Sequence, residues 1–122
     1  MTEQEFYAAI GGSYKDAIDR LMRDSLIRKF VLRFPADPSF DALAAAVREQ
    51  RWDDAFSASH TLKGVALNLA FAKLSGAAMT LTDALRPQNR AQLDPAQITH
   101  LLGDVEREYR AVLAAAAGLA EG

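Results

Sequence analysis

Apolar side chains recur every three or four residues along almost the whole chain, and the four prolines fall only where those runs start or stop. This is the spacing of helices with one buried face, since 3.6 residues per turn bring positions i, i+3, i+4 and i+7 to one side. Composition agrees. The chain has 24 alanines against five valines and four isoleucines, and alanine favours helices where β-branched residues favour strands. The expected fold class is all-α.

The breaks divide the chain. Residues 2–10 read as a short first helix, punctuated by Gly11-Gly12. A longer helix is predicted over residues 13–34, with Ile18, Leu21, Met22, Ile27, Phe30, Val31 and Phe34 near one face. Pro35 stops it, because proline pushes the preceding residue out of helical geometry. Asp37-Pro38 reads as an N-cap with a first-turn proline, opening a helix to about residue 50 with Phe40, Leu43, Ala44 and Val47 inward. Another begins at Trp52 or Asp53 and runs to about residue 69. Phe71, Leu74, Ala78, Leu81 and Leu85 then share a face as far as Pro87. Residues 87–93 form the longest polar break. Asp94-Pro95 repeats the cap-and-proline start for a last helix using Ile98, Leu101, Leu102, Val105, Tyr109 and Val112, ended by Gly118 before a frayed tail. Substantial helices with short connections predict an antiparallel four-helix bundle with a short additional N-terminal helix. The expectation is one domain over residues 1–122, its core at about 13–118.

Several function classes drop out. Half the residues are hydrophobic, 25% are charged and the net charge is -2, so there is no global electrostatic case for nucleic acid or an anionic membrane. With no cysteine, disulfides, Cys-ligated zinc, iron–sulfur clusters and Cys nucleophiles are excluded. No closely spaced third ligand joins the two histidines, so no metal site is expected. The N-terminus is acidic and lacks the apolar run of a signal peptide. No apolar run approaches the ~18 residues of a membrane span. The expectation is a cytoplasmic monomer, since one bundle can bury its own apolar faces.

The chemistry concentrates in residues 57–69, Ser-Ala-Ser-His-Thr-Leu-Lys-Gly-Val-Ala-Leu-Asn-Leu. At 100° per residue, Ala55, Ala58, Leu62, Ala66 and Leu69 fall opposite His60, which turns His60 to solvent. Lys63 and Gly64 lie roughly 60° and 40° to either side of it, one turn on. Leu67, Phe56 and Asp53 fall near the same line. A neutral imidazole can attack an acyl phosphate and release the group again. Lys63 can neutralise phosphoryl oxygens. Gly64 costs roughly 1 kcal/mol against alanine inside a helix, and close approach by a partner is the natural return. Phe56 and Leu67 offer apolar surface for docking, with Ser57 beside them on the same face.

His60-Thr61-Leu62-Lys63-Gly64 resembles the signature of the histidine-phosphotransfer (HPt) family, which relays phosphoryl groups between receiver domains. The resemblance extends over about residues 10–86, through residues 30–34, Asp37-Pro38-Ser39-Phe40, Leu43, Ala55-Phe56, Asn68-Leu69 and Leu74. It implies that His60 is the phosphoacceptor, commonly at Nε2, that Lys63 helps hold the phosphoryl group and that Gly64 keeps the site open. Implied partners are response-regulator receiver domains, a hybrid sensor kinase, or both. No cofactor of the chain's own is implied, and the receiver is expected to bring Mg²⁺. Many relatives have glycine where this chain has Ala70, which predicts either a longer helix or a strained left-handed residue.

Other readings are weaker. The dimerising region of a sensor kinase usually has an acidic residue after the histidine and a proline soon after; here Thr61 follows, and residues 39–86 contain no proline. The phosphotransfer domain of a chemotaxis-type kinase shares fold and motif. A helical module that docks receivers without accepting phosphate leaves His60 unexplained. Elsewhere, His100 and Lys73 read as solvated residues, Asn68 as a local helix-end group, Asp53 as an N-cap and Trp52 as a packing residue.

Overall fold

Thr2 accepts the Glu5 backbone N–H at 3.0 Å while the Glu5 carboxylate accepts the Thr2 N–H at 2.9 Å. This reciprocal cap opens α1, Glu3–Ile10. The computed structural model describes residues 1–121, and every regular element among them is helical. Gly11, at φ 62°, ends α1 in the left-handed conformation that glycine adopts without strain.

The helix predicted over residues 13–34 is instead two helices, α2 (Tyr14–Leu21) and α3 (Asp24–Arg33). The break is at Met22, which has φ 74° and is 78% exposed rather than inward. Helical phase explains it. Ala17, Ile18 and Leu21 define one stripe; Ile27, Phe30, Val31 and Phe34 define another, roughly 140° away on a continuous helix. One helix could not bury both, so the chain re-phases between them.

Pro35 lies in a 3₁₀ turn, Phe34–Ala36. The Asp37 carboxylate accepts the Ser39 N–H at 2.8 Å, opening α4, Ser39–Arg48, with Pro38 in the cap position. Phe40, Leu43 and Val47 are buried as expected, joined by Ala46, with Ala44 half-buried. Next come α5 (Trp52–Asn68) and α6 (Ala72–Ala84). The polar break after Pro87 is an ordered 3₁₀ segment, Pro87–Gln92. Its Arg90 donates to the Leu85 and Trp52 carbonyls and pairs with Asp53 at 2.8 Å, tying the start of α5 to the end of α6. The last helix, α7 (Pro95–Glu121), runs through Gly118. Leu119 is fully buried and its carbonyl accepts Arg28 Nη2 at 2.6 Å, so tertiary contacts hold a turn that local propensity would release. Of the tail expected to fray, only the final residue lies outside the described residues.

α5 packs between α4 and α6, α6 packs on α7, and α7 also contacts α1, α3 and α4. Aromatic rings fill the centre: Phe71 meets Phe6, Tyr7 and Phe34, and Phe40 stacks on Tyr109 at 4.3 Å. Each fully buried ring contributes about 1.5–3 kcal/mol.

The C-terminal end of α5 is held by the N-terminal elements. The last carbonyls of a helix have no partner within it. Here Tyr7 donates its hydroxyl to the Leu69 carbonyl at 2.7 Å, Ser13 N–H donates to the Ala70 carbonyl at 3.0 Å, and Arg20 donates to the Leu67 carbonyl. Gly12 permits this close approach, since a Cβ there would meet the Ala70 oxygen at 2.8 Å. Burial pushes the Tyr7 phenol well above its ordinary value.

Candidate functional site

His60 sits at the midpoint of α5, eight residues from either end. Helix-end charges fade within a turn, so neighbouring side chains, not the helix ends, set its electrostatic surroundings. The α5 faces divide as the period predicts. Ala55, Leu62, Ala66 and Leu69 are buried, Ala58 is half-buried, and His60 is exposed.

Lys63 and Gly64 are half-buried one turn beyond His60. Lys63 enters no ion pair among the described residues. A Cβ built on Gly64 meets nothing within 4 Å, so no fold constraint requires glycine there. One turn before His60, the Phe56 ring stacks beside the imidazole, with centroids 6.2 Å apart and planes 23° apart. Ser57 is exposed, its carbonyl accepting the Thr61 hydroxyl at 3.0 Å. Leu67 is 39% exposed. The structure therefore brings Phe56, His60, Lys63, Gly64 and Leu67 onto one face with Ser57 at its edge.

Other residues singled out from the sequence fall into place. Asp53 is not the N-cap: Arg51 holds that position, and Asp53 lies in the first turn, where the helix dipole favours a carboxylate. Trp52 is half-buried against the core. Asn68 ends α5 and is exposed. The exposed Lys73 lies across Gly11. His100 is exposed, 4.0 Å from Asp104 on the same helix. Ala70 resolves its two alternatives towards strain, because α5 stops at Asn68 and Ala70 takes φ 59°. Among the described residues no three His, Asp or Glu side chains gather as a metal site, and no helix is long and apolar enough to cross a membrane.

Three features escaped the sequence reading. Ser59, next to His60, is fully buried; its hydroxyl lies 2.6 Å from the Thr82 hydroxyl, and Thr82 donates to the Ala78 carbonyl at 2.7 Å. Arg86 lies over the Phe56 ring, 5.9 Å from its centroid, and is held by Asp83 at 2.9 Å. A groove of about 700 Å³ runs between α2, α3 and the second half of α5, lined by Leu21, Phe30, Val65 and Asn68 with Arg20 and Arg33. All three join segments far apart in sequence. The only local hint was a serine just off the core stripe of α5.

Residues 29–116 match the family described as the Hpt domain. The match covers most of the chain, and the chain belongs to that family. No curated protein and no solved structure matches it significantly. Hpt domains act in histidine phosphotransfer within two-component signalling; they carry phosphoryl groups rather than acting as kinases, and interact with receiver domains and kinases.

Proposed function

We propose that this chain is a phosphoryl carrier that accepts the group on His60 from one receiver aspartate and delivers it to another in a multi-step relay. The observation that carries the reading is an exposed imidazole at the centre of a helix, with an open glycine and a lysine that enters no ion pair among the described residues one turn away. In this reading α4 to α7 form an antiparallel four-helix bundle, working as a monomer in the cytoplasm.

In the forward step an unprotonated imidazole nitrogen attacks the phosphorus of an aspartyl phosphate. The N–P bond forms as the P–O bond to the carboxylate breaks, and the carboxylate leaves. Phosphohistidine then reacts with a second aspartate by the reverse bond changes. Lys63 offsets the charge on the transferring oxygens, Gly64 leaves room for the incoming backbone, and Phe56, Ser57 and Leu67 meet the partner. The receiver supplies the Mg²⁺ at its own aspartate.

Incubation with a phosphorylated receiver and Mg²⁺ tests this. The wild type is expected to acquire an acid-labile label, and His60→Gln none. A labelled His60→Gln protein would overturn the assignment.

A further inference from the structure

Phe56 is more than apolar docking surface. Its ring is nearly parallel to the imidazole, 23° between planes at a centroid distance of 6.2 Å, within the range of aromatic pairs. An exposed histidine on a helix otherwise samples several rotamers. The ring is itself confined: Phe56 is half-buried and packed against the core, and the Arg86 guanidinium lies over it. Arg86 is fixed in turn by Asp83 one turn earlier on α6. A chain of contacts thus runs from Asp83 through Arg86 and Phe56 to the reacting ring.

We propose that Phe56, braced by Arg86, is a positioning residue that holds the His60 imidazole for in-line attack. This rests on His60 being the phosphoacceptor. In-line transfer needs the attacking nitrogen aligned with the bond that breaks, so a pre-set ring plane raises the fraction of productive encounters. The pairing also assigns Arg86 a role that no local spacing suggested.

The test separates positioning from docking by using two donors, a phosphorylated receiver and the small molecule phosphoramidate, which needs no protein surface. The variants are Phe56→Leu, which keeps an apolar side chain but loses the flat ring, Phe56→Tyr, which keeps the ring, and Arg86→Met. Phe56→Leu is expected to slow labelling by both donors roughly threefold to tenfold, chiefly in the maximal single-turnover rate. Phe56→Tyr should restore the rate, and Arg86→Met should show a smaller loss of the same kind. Circular dichroism of each variant should match the wild type. Wild-type rates with phosphoramidate in Phe56→Leu, or a loss confined to the half-saturating receiver concentration, would overturn positioning while leaving His60 as acceptor. A wild type that neither donor labels would overturn the acceptor assignment itself.

Discussion

In the proposed relay, replacing Gly64 should move stability and transfer in opposite directions. Alanine at an interior helix position is favoured over glycine by about 0.8–1 kcal/mol. Nothing lies within 4 Å of the position a Gly64 Cβ would take, so Gly64→Ala should realise most of that gain, raising the melting temperature by about 3–6 °C. The same methyl would project beside His60, into the space that the proposed docking leaves for a receiver's backbone. A displacement of about 1 Å in a reacting pair costs up to about a hundredfold in rate. Gly64→Ala should therefore slow transfer from a phosphorylated receiver about tenfold, and Gly64→Gln about a hundredfold, with helicity intact. Gly76 and Gly103 supply the controls. Both are exposed interior helix glycines with equally open surroundings, so alanine there should stabilise by a similar amount and leave transfer untouched. Thermal melts and single-turnover labelling of the four variants decide it. If Gly64→Ala transfers at the wild-type rate, or loses stability, the argument from access is wrong.

Two further outcomes concern stability. Thr82→Val and Ser59→Ala should each cost about 1 kcal/mol in urea unfolding, and the double variant less than their sum, because each change removes the same hydroxyl pair; strict additivity would show that the pair does not act as a unit. Burial raises the Tyr7 phenol in the folded state, so the unfolded chain ionises first and loses its proton while the folded chain keeps it. Unfolding free energy should therefore fall as pH rises past about 10. Tyr7→Phe should lessen that fall and cost about 1–2 kcal/mol at neutral pH by leaving the Leu69 carbonyl without its partner; an unchanged alkaline profile would refute the assignment.

The parts of the site that were legible in the sequence lie on one helix. A fixed 100° per residue places Lys63, Gly64 and Phe56 relative to His60 without knowledge of any other element, and the buried Ala55, Leu62 and Ala66 mark the opposite side. What was not legible depends on what packs against that helix. Ser59 is a polar residue beside the core stripe, and its burial is tolerable because the Ala78 carbonyl and the Thr82 hydroxyl, 19 and 23 positions on, meet its hydroxyl. Arg86 reaches Phe56 from just beyond the end of α6, a contact set by how α6 packs on α5. The single helix expected over residues 13–34 failed for a related reason. Each of its two stripes is good by itself, and their misphasing shows only when the angle is carried across Met22.

The same distinction explains why an exposed site can be well ordered. An imidazole facing solvent gains no fixed direction from the core behind it; direction must come from the helix that carries it and from flanking rings. The helix is secured at both ends by distant residues: Arg90 joins its first turn to the 3₁₀ segment after α6, while Tyr7, Ser13 and Arg20 bind the carbonyls where it stops. Tyr7, Ser13 and Arg20 precede the family match at residues 29–116. The N-terminal helices thus take up the backbone groups exposed by the strained Ala70 turn. A turn that glycine would form without strain is formed here by alanine, and it is stabilised by hydrogen bonds from α1, from α2 and from the turn between them.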